Sequence, residues 1–203
     1  MNPLLIDMPE EILGKRIVIQ PRRPNEGDEV WEAIEESREQ ITPWLPWAKY
    51  QLTREEPEMS ARRAWAKWQT REDLAMVIRD RVSGRYLGGS GLHSINWDVP
   101  KFEIGYWLRT SAVGNGYVTE AVQVLCSFAF DTLKANRIEI RCDSRNERSI
   151  AVPARLGFIL EAHLRNDLLD NNKELRDTLV YALTPSDFAR AKVRWDNGDL
   201  SAR

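Results

Sequence analysis

The chain has 203 residues, 42% of them hydrophobic and 30% charged, and its formal net charge is −2. This composition indicates one folded domain over residues 1–203 with its core at about 16–183, and no apolar run approaches the ~18 residues of a membrane span. Because the N-terminus lacks a signal peptide's basic region and no Lys/Arg block marks a nucleic-acid surface, we expect a cytoplasmic protein that binds neither membranes nor nucleic acids.

The predicted elements begin with a strand and two helices and continue with a meander of three strands. Alternating apolar residues predict the strands, and apolar residues three and four apart predict the helices. In chain order these are a strand at 16–20, helices at about 25–38 and 55–69, and strands at 74–79, 85–93 and 102–108. We expect the last three strands to pair antiparallel.

The segment between the two helices carries two prolines and two tryptophans. Pro43 and Pro46 exclude a regular helix, so Trp44 and Trp47 are displayed on a loop. Their aromatic faces could attract an ammonium group, which makes both residues candidates for binding an amine substrate. A structural role, in which the two rings pack between the helices, is nearly as strong an interpretation.

A glycine-bracketed turn follows the third meander strand. Gly114, Asn115 and Gly116 precede a helix that is predicted to run to about Lys134. The first N–H groups of a helix have no partner within it and carry the positive end of its dipole, so small residues there can surround phosphate oxygens. A dinucleotide fingerprint would need a third glycine at Thr119 and a P-loop would need Gly-Lys-Ser/Thr. The ligand that we expect is a pyrophosphate.

The last third of the chain combines strands with two helices. Ile138, Ile140 and Cys142 alternate as a strand, and Asn146 can cap a helix that ends before Gly157. Strands at 158–164 and 178–183 precede a terminal helix at 185–193, and we expect residues 197–203 to be frayed.

Cysteines and histidines give no metal or disulfide signature. Cys126 and Cys142 lack metal-ligand spacing and have the pattern of buried small hydrophobes. His93 and His163 are separated from each other and from any cluster of ligands at metal spacing. We therefore expect no metal.

Several of these segments give the chain a resemblance to a known family. Residues 111–116 match the pyrophosphate motif Gln/Arg-x-x-Gly-x-Gly/Ala of the GCN5-related N-acetyltransferase (GNAT) superfamily, with Ser111 in place of Gln/Arg. The loop 44–47, the strand 103–108 and the segment 146–158 are similar to its RimJ/RimL branch of ribosomal-protein N-terminal acetyltransferases. The resemblance covers nearly the whole chain. It implies the α+β, three-layer αβα GNAT fold, in which helices flank both faces of a mixed, mostly antiparallel sheet.

The resemblance also implies an activity and a set of cofactor contacts. Members transfer acetyl from acetyl-CoA to a primary amine, so we expect acetyl-CoA as co-substrate and the N-terminal α-amine of a ribosomal protein or peptide as the preferred acceptor. The implied cofactor contacts lie at the end of the 103–108 strand, in the glycine turn and at a helix cap. They are Trp107, Leu108, Arg109, Val113, Gly114, Asn115, Gly116, Tyr117, Val118 and Asn146. For Asn146 a plain N-cap is the competing interpretation.

Two residues are candidates for the proton transfers. Glu103, on the strand before the glycine turn, is the candidate base acting through water, although a carboxylate on a solvent-facing strand is ordinary. Ser149 matches the hydroxyl that the branch is thought to use to protonate the departing thiolate, the alternative being a helix-capping serine. Pro153 cannot donate a helical N–H to the Ser149 carbonyl. If Ser149 is displaced, Tyr106 or Tyr117 becomes the candidate acid.

One departure and several alternatives remain at this point. The branch tends to have a carboxylate on a later strand, where Leu168 stands here with Asp167 beside it. The acceptor could instead be a small molecule: a polyamine, an aminoglycoside or a peptide antibiotic. Ser111 at the motif position also leaves open a non-catalytic acetyl-CoA sensor or scaffold. The sequence does not decide the oligomeric state, including a homodimer, or the acyl-chain preference.

Overall fold

The computed structural model describes residues 2–50 and 53–199. Its helices and strands are, in chain order, β1 (Ile12–Leu13), β2 (Ile17–Pro21), α1 (Gly27–Ile41), α2 (Glu55–Thr70), β3 (Leu74–Asp80), β4 (Tyr86–Asn96), β5 (Lys101–Leu108), α3 (Tyr117–Ser127), β6 (Arg137–Asp143), α4 (Glu147–Leu156), β7 (Ile159–Leu169), β8 (Leu175–Leu183) and α5 (Pro185–Asp196). Short 3-10 helices lie at Pro3–Leu5, Pro46–Tyr50 and Thr110–Ala112. In this described part, no helix is long and apolar enough to cross a membrane.

One mixed sheet contains all eight of the described strands. Their order across the sheet is β1-β2-β3-β4-β5-β6-β8-β7. Every neighbouring pair is antiparallel except β5 and β6, which run parallel. Five α-helices flank this sheet. The predicted α+β architecture with a mixed, mostly antiparallel sheet is confirmed.

Alternation along β3 shows how the two faces of the sheet are covered. Met76 and Ile78 belong to the larger apolar core, which includes Leu125 of α3. Val77, between them, belongs to a second apolar cluster with Ile34 of α1. Because successive side chains of a strand point to opposite faces, α1 and α3 pack on opposite sides of the sheet. Apolar burial on both faces, at ~25 cal/mol per Å², holds the layers together.

The ends of several elements differ from the sequence-based expectations. β7 continues to Leu169 and β8 already begins at Leu175, so the two strands form a longer hairpin than predicted. The alternation of apolar residues in the sequence does not reveal the tip of this hairpin, because exposed strand residues need not alternate between apolar and polar. The helix expected to reach Lys134 is α-helical only to Ser127 and then becomes a π-helical turn at Phe128–Thr132.

The expectation that residues 197–203 are frayed is wrong for their first three positions. The N–H of Gly198 donates to the Trp195 carbonyl at 3.0 Å, and the N–H of Asp199 donates to the Arg194 carbonyl at 2.9 Å. These bonds satisfy carbonyls at the C-terminal end of α5 and fix the chain there. Residues 200–203 lie outside the described residues.

Candidate active site

Strands β5 and β6 pair only near their beginnings and then separate. Their parallel register starts with Lys101 opposite Arg137 and ends with Glu103 opposite Glu139. On its other side, β5 stays paired with β4 as far as Leu108. Beyond Glu103, the edge of β5 that faces β6 therefore carries backbone groups that the sheet does not use. This V-shaped opening is a place where backbone donors can meet a ligand.

The hydrogen-bond alternation of an antiparallel ladder identifies which amide points into the opening. The N–H of Arg109 donates to the Leu87 carbonyl at 2.8 Å, so it belongs to the ladder with β4. Trp107, two residues earlier and opposite Gly89, has the same orientation. The N–H of Leu108 points the other way, towards the opening. Of the three predicted contacts at 107–109, Leu108 is the one whose amide faces the opening.

The glycine turn presents a run of amides that the protein leaves unused. The backbone N–H groups of residues 109–113 all donate within the chain, whereas those of residues 114–118 have no acceptor among the described residues. Gly114 and Gly116 have φ values of +84° and +77°, in the left-handed region that favours glycine. A Cβ on Gly114 would meet no atom within 4 Å, so the turn is open on its outer side. The result is five consecutive donors at the N-terminus of α3.

Charged side chains hold this turn at both ends. Glu36 of α1 accepts the Ser111 N–H at 2.7 Å and the Arg109 Nε at 2.8 Å. The bond from Arg109, helped by the bonds from Ser111, lowers the pKa of the Glu36 carboxyl to about 2. At the other end, the Arg16 guanidinium donates to the Asn115 carbonyl at 2.8 Å. The donors of the turn are therefore fixed in place by the protein itself.

Ser149 lies in the first turn of α4 and is held from two sides. Asn146 Oδ1 accepts the Ser149 N–H at 3.1 Å, so Asn146 is the N-cap of α4. Pro153 offers no N–H to the Ser149 carbonyl, and the Tyr106 hydroxyl donates to that carbonyl instead, at 3.0 Å. The hydroxyl oxygens of Tyr106 and Ser149 are 3.3 Å apart. Because Pro153 has no N–H, the Ser149 carbonyl lacks its helical donor, and the Tyr106 hydroxyl takes the place of that donor.

Both ionisable groups beside Ser149 are neutral at physiological pH. Burial raises the pKa of Tyr106 well above its ordinary value. Burial also raises the pKa of the Cys142 thiol to about 11. Neither group therefore places a negative charge beside the Ser149 hydroxyl.

Glu103 and the tryptophan loop lie on the other face of β5. Residues 103 and 106 are an odd number of positions apart, so Glu103 and Tyr106 point to opposite faces of the sheet. Trp107 shares the face of Glu103 and packs edge-on against Trp47, with ring centroids 5.5 Å apart. The Glu103 carboxylate accepts the Ser94 hydroxyl at 3.1 Å. Glu103 is also the last β5 residue paired with β6, which places it where the two strands begin to separate.

A cavity of about 700 Å³ lies between the tryptophan loop and the tip of the β7–β8 hairpin. Trp44, Lys49, Arg145 and Asn171 are among the residues that line it. The Lys49 ammonium donates to the Asn171 carbonyl at 2.9 Å, so the loop and the hairpin are tied together across the cavity. Arg145 directly precedes the cap residue Asn146, so the cavity lies next to the helix that carries Ser149.

Comparison with known proteins identifies the family. A sequence profile of the acetyltransferase (GNAT) domain matches residues 16–159. The chain belongs to the GNAT family. This GNAT protein is 29% identical over 181 residues to YdaF of Bacillus subtilis strain 168, which is provisionally named a ribosomal N-acetyltransferase; the match covers 89% of this chain and 97% of YdaF.

Solved structures share the GNAT fold with this acetyltransferase. Mycobacterium smegmatis RimJ, in complex with CoA-disulfide, has a TM-score of 0.85 at 22% identity, and the match covers 98% of each chain. RimL, a ribosomal L7/L12 α-N-protein acetyltransferase solved with coenzyme A, has a TM-score of 0.81 at 20% identity, and the match covers 86% of this chain and 98% of RimL. The predicted family, fold and N-acetyltransferase activity are confirmed.

Other residues considered for the acetyltransferase site make different contacts. The Asp167 carboxylate lies 3.6 Å from the Arg141 guanidinium, and Leu168 is half exposed on β7. Tyr117 begins α3, where its ring lies under the Arg16 guanidinium. In the parts of the chain that the structure describes, no group of three or more His, Cys, Asp or Glu residues could hold a metal, and Cys126 and Cys142 are free thiols.

Sequence patterns miss the side chains that support the site. Glu36 and Arg16 lie far from the glycine turn in sequence and in different elements, so no local spacing connects them with it. Tyr106 enters from sequence only as an alternative acid, and its bond to Ser149 depends on how β5 and α4 pack. The one available signal is Pro153, because a proline inside a helix leaves a carbonyl that some other donor must satisfy.

Proposed function

We propose that this acetyltransferase transfers the acetyl group of acetyl-CoA to the N-terminal α-amine of a protein or peptide. The observation that carries the proposal is the meeting of three features at one place in the sheet. These are the opening between β5 and β6, the five unused amides at the start of α3, and Ser149 at the start of α4. Acetyl-CoA supplies the acetyl group as an activated thioester.

The residues present fit this co-substrate. The N–H groups of residues 114–118 at a helix N-terminus suit the negative oxygens of a pyrophosphate. The open space outside Gly114 leaves room for those oxygens to approach the backbone. The N–H of Leu108 suits a carbonyl oxygen that gains negative charge, because it is a fixed donor directed into the opening.

Ser149 and Glu103 divide the proton transfers between the two faces of the sheet. Ser149 Oγ donates a proton to the departing sulfur and regains one from solvent, while the Tyr106 hydroxyl fixes the first turn of α4 through its bond to the Ser149 carbonyl and lies 3.3 Å from Oγ. On the opposite face, Glu103 takes the proton of the incoming amine through water. General acid–base help of this kind is typically worth ~10²–10⁴ in rate.

An acceptor that ends in an α-amine suits the face that carries Glu103. The Trp47–Trp107 pair belongs to that face, Trp44 of the same loop lines the neighbouring cavity, and aromatic rings there can attract an ammonium group. An α-amine has a pKa of ~7.7–8.0 against ~10.4 for lysine, so a larger fraction of it is neutral at pH 7. The similarity to YdaF, provisionally named a ribosomal N-acetyltransferase, and to RimL, a ribosomal L7/L12 α-N-protein acetyltransferase, supports the same class of acceptor.

Release of free thiol from acetyl-CoA with a panel of amines tests the proposal. The panel contains short peptides beginning with Ala, Ser or Met, the same peptides with blocked N-termini, spermidine, an aminoglycoside and lysine. We expect turnover with the free peptides only. Turnover confined to spermidine or the aminoglycoside would replace the proposal with small-molecule acetylation. Binding of acetyl-CoA without turnover on any amine would support a sensor.

A variant of the glycine turn tests the cofactor site separately. In Gly114→Asp, a carboxylate occupies the open space outside the turn, and the backbone must hold a φ of +84° with a side chain present. We expect acetyl-CoA binding to fall at least ~100-fold, because like charges meet at the phosphate position. Gly198→Asp, at the C-terminal end of α5 with a φ of +74° and equal open space, is the matched control. Equal affinity in both variants would remove the turn from the cofactor site.

A further inference from the structure

The motif position that Ser111 occupies is contacted by an arginine from another part of the chain. The Arg85 guanidinium donates to Ser111 Oγ at 2.9 Å, across the 26 positions that separate them. We infer that Arg85 is a phosphate ligand of bound acetyl-CoA and supplies the positive charge that Ser111 cannot. This inference rests on the proposed function, because it names a further residue of the same cofactor site.

The turn between β3 and β4 meets the loop from residue 111 to the start of α3 directly at one point and through Arg16 at another. Arg85, at the end of that turn, reaches Ser111 directly. At the other end, the Arg81 N–H donates to the Arg16 carbonyl at 2.8 Å, and the Arg16 guanidinium donates to the Asn115 carbonyl. The β3–β4 turn thus borders the loop from residue 111 to the start of α3, where the five unused amides lie.

The charge of Arg85 is only loosely compensated. Its nearest carboxylate, that of Glu36, is 4.0 Å away and already accepts the Arg109 guanidinium and the Ser111 N–H. The Arg85 side chain is 51% exposed. A guanidinium has five N–H donors in a planar fork that matches phosphate oxygens, and the bond to Ser111 uses one of them.

Arg16, a second guanidinium near the loop, has more bonding partners than Arg85. Its Nε donates to the Glu120 carboxylate at 2.8 Å, its terminal nitrogen donates to the Asn115 carbonyl, and its plane lies over the Tyr117 ring. These contacts hold the loop and neutralise the charge. Arg85 is the better candidate for a charge that binds the ligand.

Affinity measurements by calorimetry on the full chain test this inference. We expect Arg85→Gln to weaken acetyl-CoA binding about tenfold at low salt and to reduce the salt dependence of the affinity, as loss of an exposed ion contact should. Arg62→Gln, an exposed arginine on α2 paired with Glu58, carries the same change in net charge and should bind like wild type. The unfolding temperature without ligand should be equal in all three proteins.

Two further comparisons sharpen the result. If Arg85 contacts the pyrophosphate, acetyl-dephospho-CoA should show the same tenfold loss; if it contacts the 3′-phosphate, that loss should disappear. In the double variant Arg85→Gln/Ser111→Arg, a guanidinium returns to the motif position, and we expect affinity within about threefold of wild type.

Wild-type affinity in Arg85→Gln, with acetyl-CoA bound normally by wild type, would overturn the inference alone. Failure of wild type to bind acetyl-CoA would instead refute the proposed function.

Discussion

The bond between Tyr106 and the Ser149 carbonyl makes the strongest quantitative prediction. Tyr106→Phe removes one hydroxyl without changing the ring, and Pro153 leaves no helical N–H to replace it. The Ser149 carbonyl is then left without a donor, which should lower the free energy of unfolding by about 1–3 kcal/mol, the usual penalty for an unpaired buried polar group. In a Pro153→Ala background, the new N–H at position 153 can bond the same carbonyl. There the Tyr106→Phe substitution should cost less than about 1 kcal/mol.

Urea denaturation of wild type, both single variants and the double variant gives the free energies of unfolding for a double-mutant cycle between positions 106 and 153. We expect a coupling energy of about 1–2 kcal/mol between positions 106 and 153, in the range found for residues that share a partner. Tyr181→Phe, another substitution of a buried tyrosine, should show no coupling to Pro153→Ala. If the effects of Tyr106→Phe and Pro153→Ala simply add to within about 0.3 kcal/mol, Tyr106 does not fill the position that the proline vacates.

Three further outcomes follow from the site. Ser149→Ala should lower kcat by ~10²–10⁴ with acetyl-CoA affinity nearly unchanged, and equal kcat would move the acid to Tyr106. Because the pKa of Glu36 falls from an ordinary 4.5 to about 2 in the folded protein, its stabilisation is complete above pH 4.5 and is lost as the pH falls towards 2. Between pH 7 and pH 2, the free energy of unfolding should therefore fall by about 1–2 kcal/mol more in wild type than in Glu36→Gln, after allowance for solvent screening. The Cys142 thiol, with a pKa of about 11, should react with iodoacetamide about tenfold faster for each pH unit from 7 to 10; a plateau near pH 8 would contradict that value.

Sequence patterns predict the framework of this fold because its elements carry their own local signals. Gly157 ends α4 with a φ of +81°, and Asn146 caps its start, as their residue types predict. Gly114 and Gly116 mark the turn for the same reason, since both take the left-handed conformation. The family resemblance then supplies the order of the sheet, which local spacing cannot give.

The supporting contacts of the site are harder to predict because they join residues that are distant in sequence. Glu36 meets Ser111 across 75 positions, and Arg16 meets Asn115 across 99. A charged residue on a predicted surface helix gives no sign that it will bond a particular backbone amide. Ser111 shows the same limit: the motif position carries no basic residue in sequence, and the guanidinium that bonds its hydroxyl belongs to Arg85, 26 positions away.

The opposite orientations of Glu103 and Tyr106 on β5 have a consequence for the kinetic scheme. The two substrates can approach from different sides of one sheet, so neither entrance blocks the other. Both would then be present together before any product leaves, and no acetylated form of the protein is required. Initial rates measured at several fixed acceptor concentrations should give intersecting double-reciprocal lines, and dead-end analogues of each substrate should be able to bind at the same time.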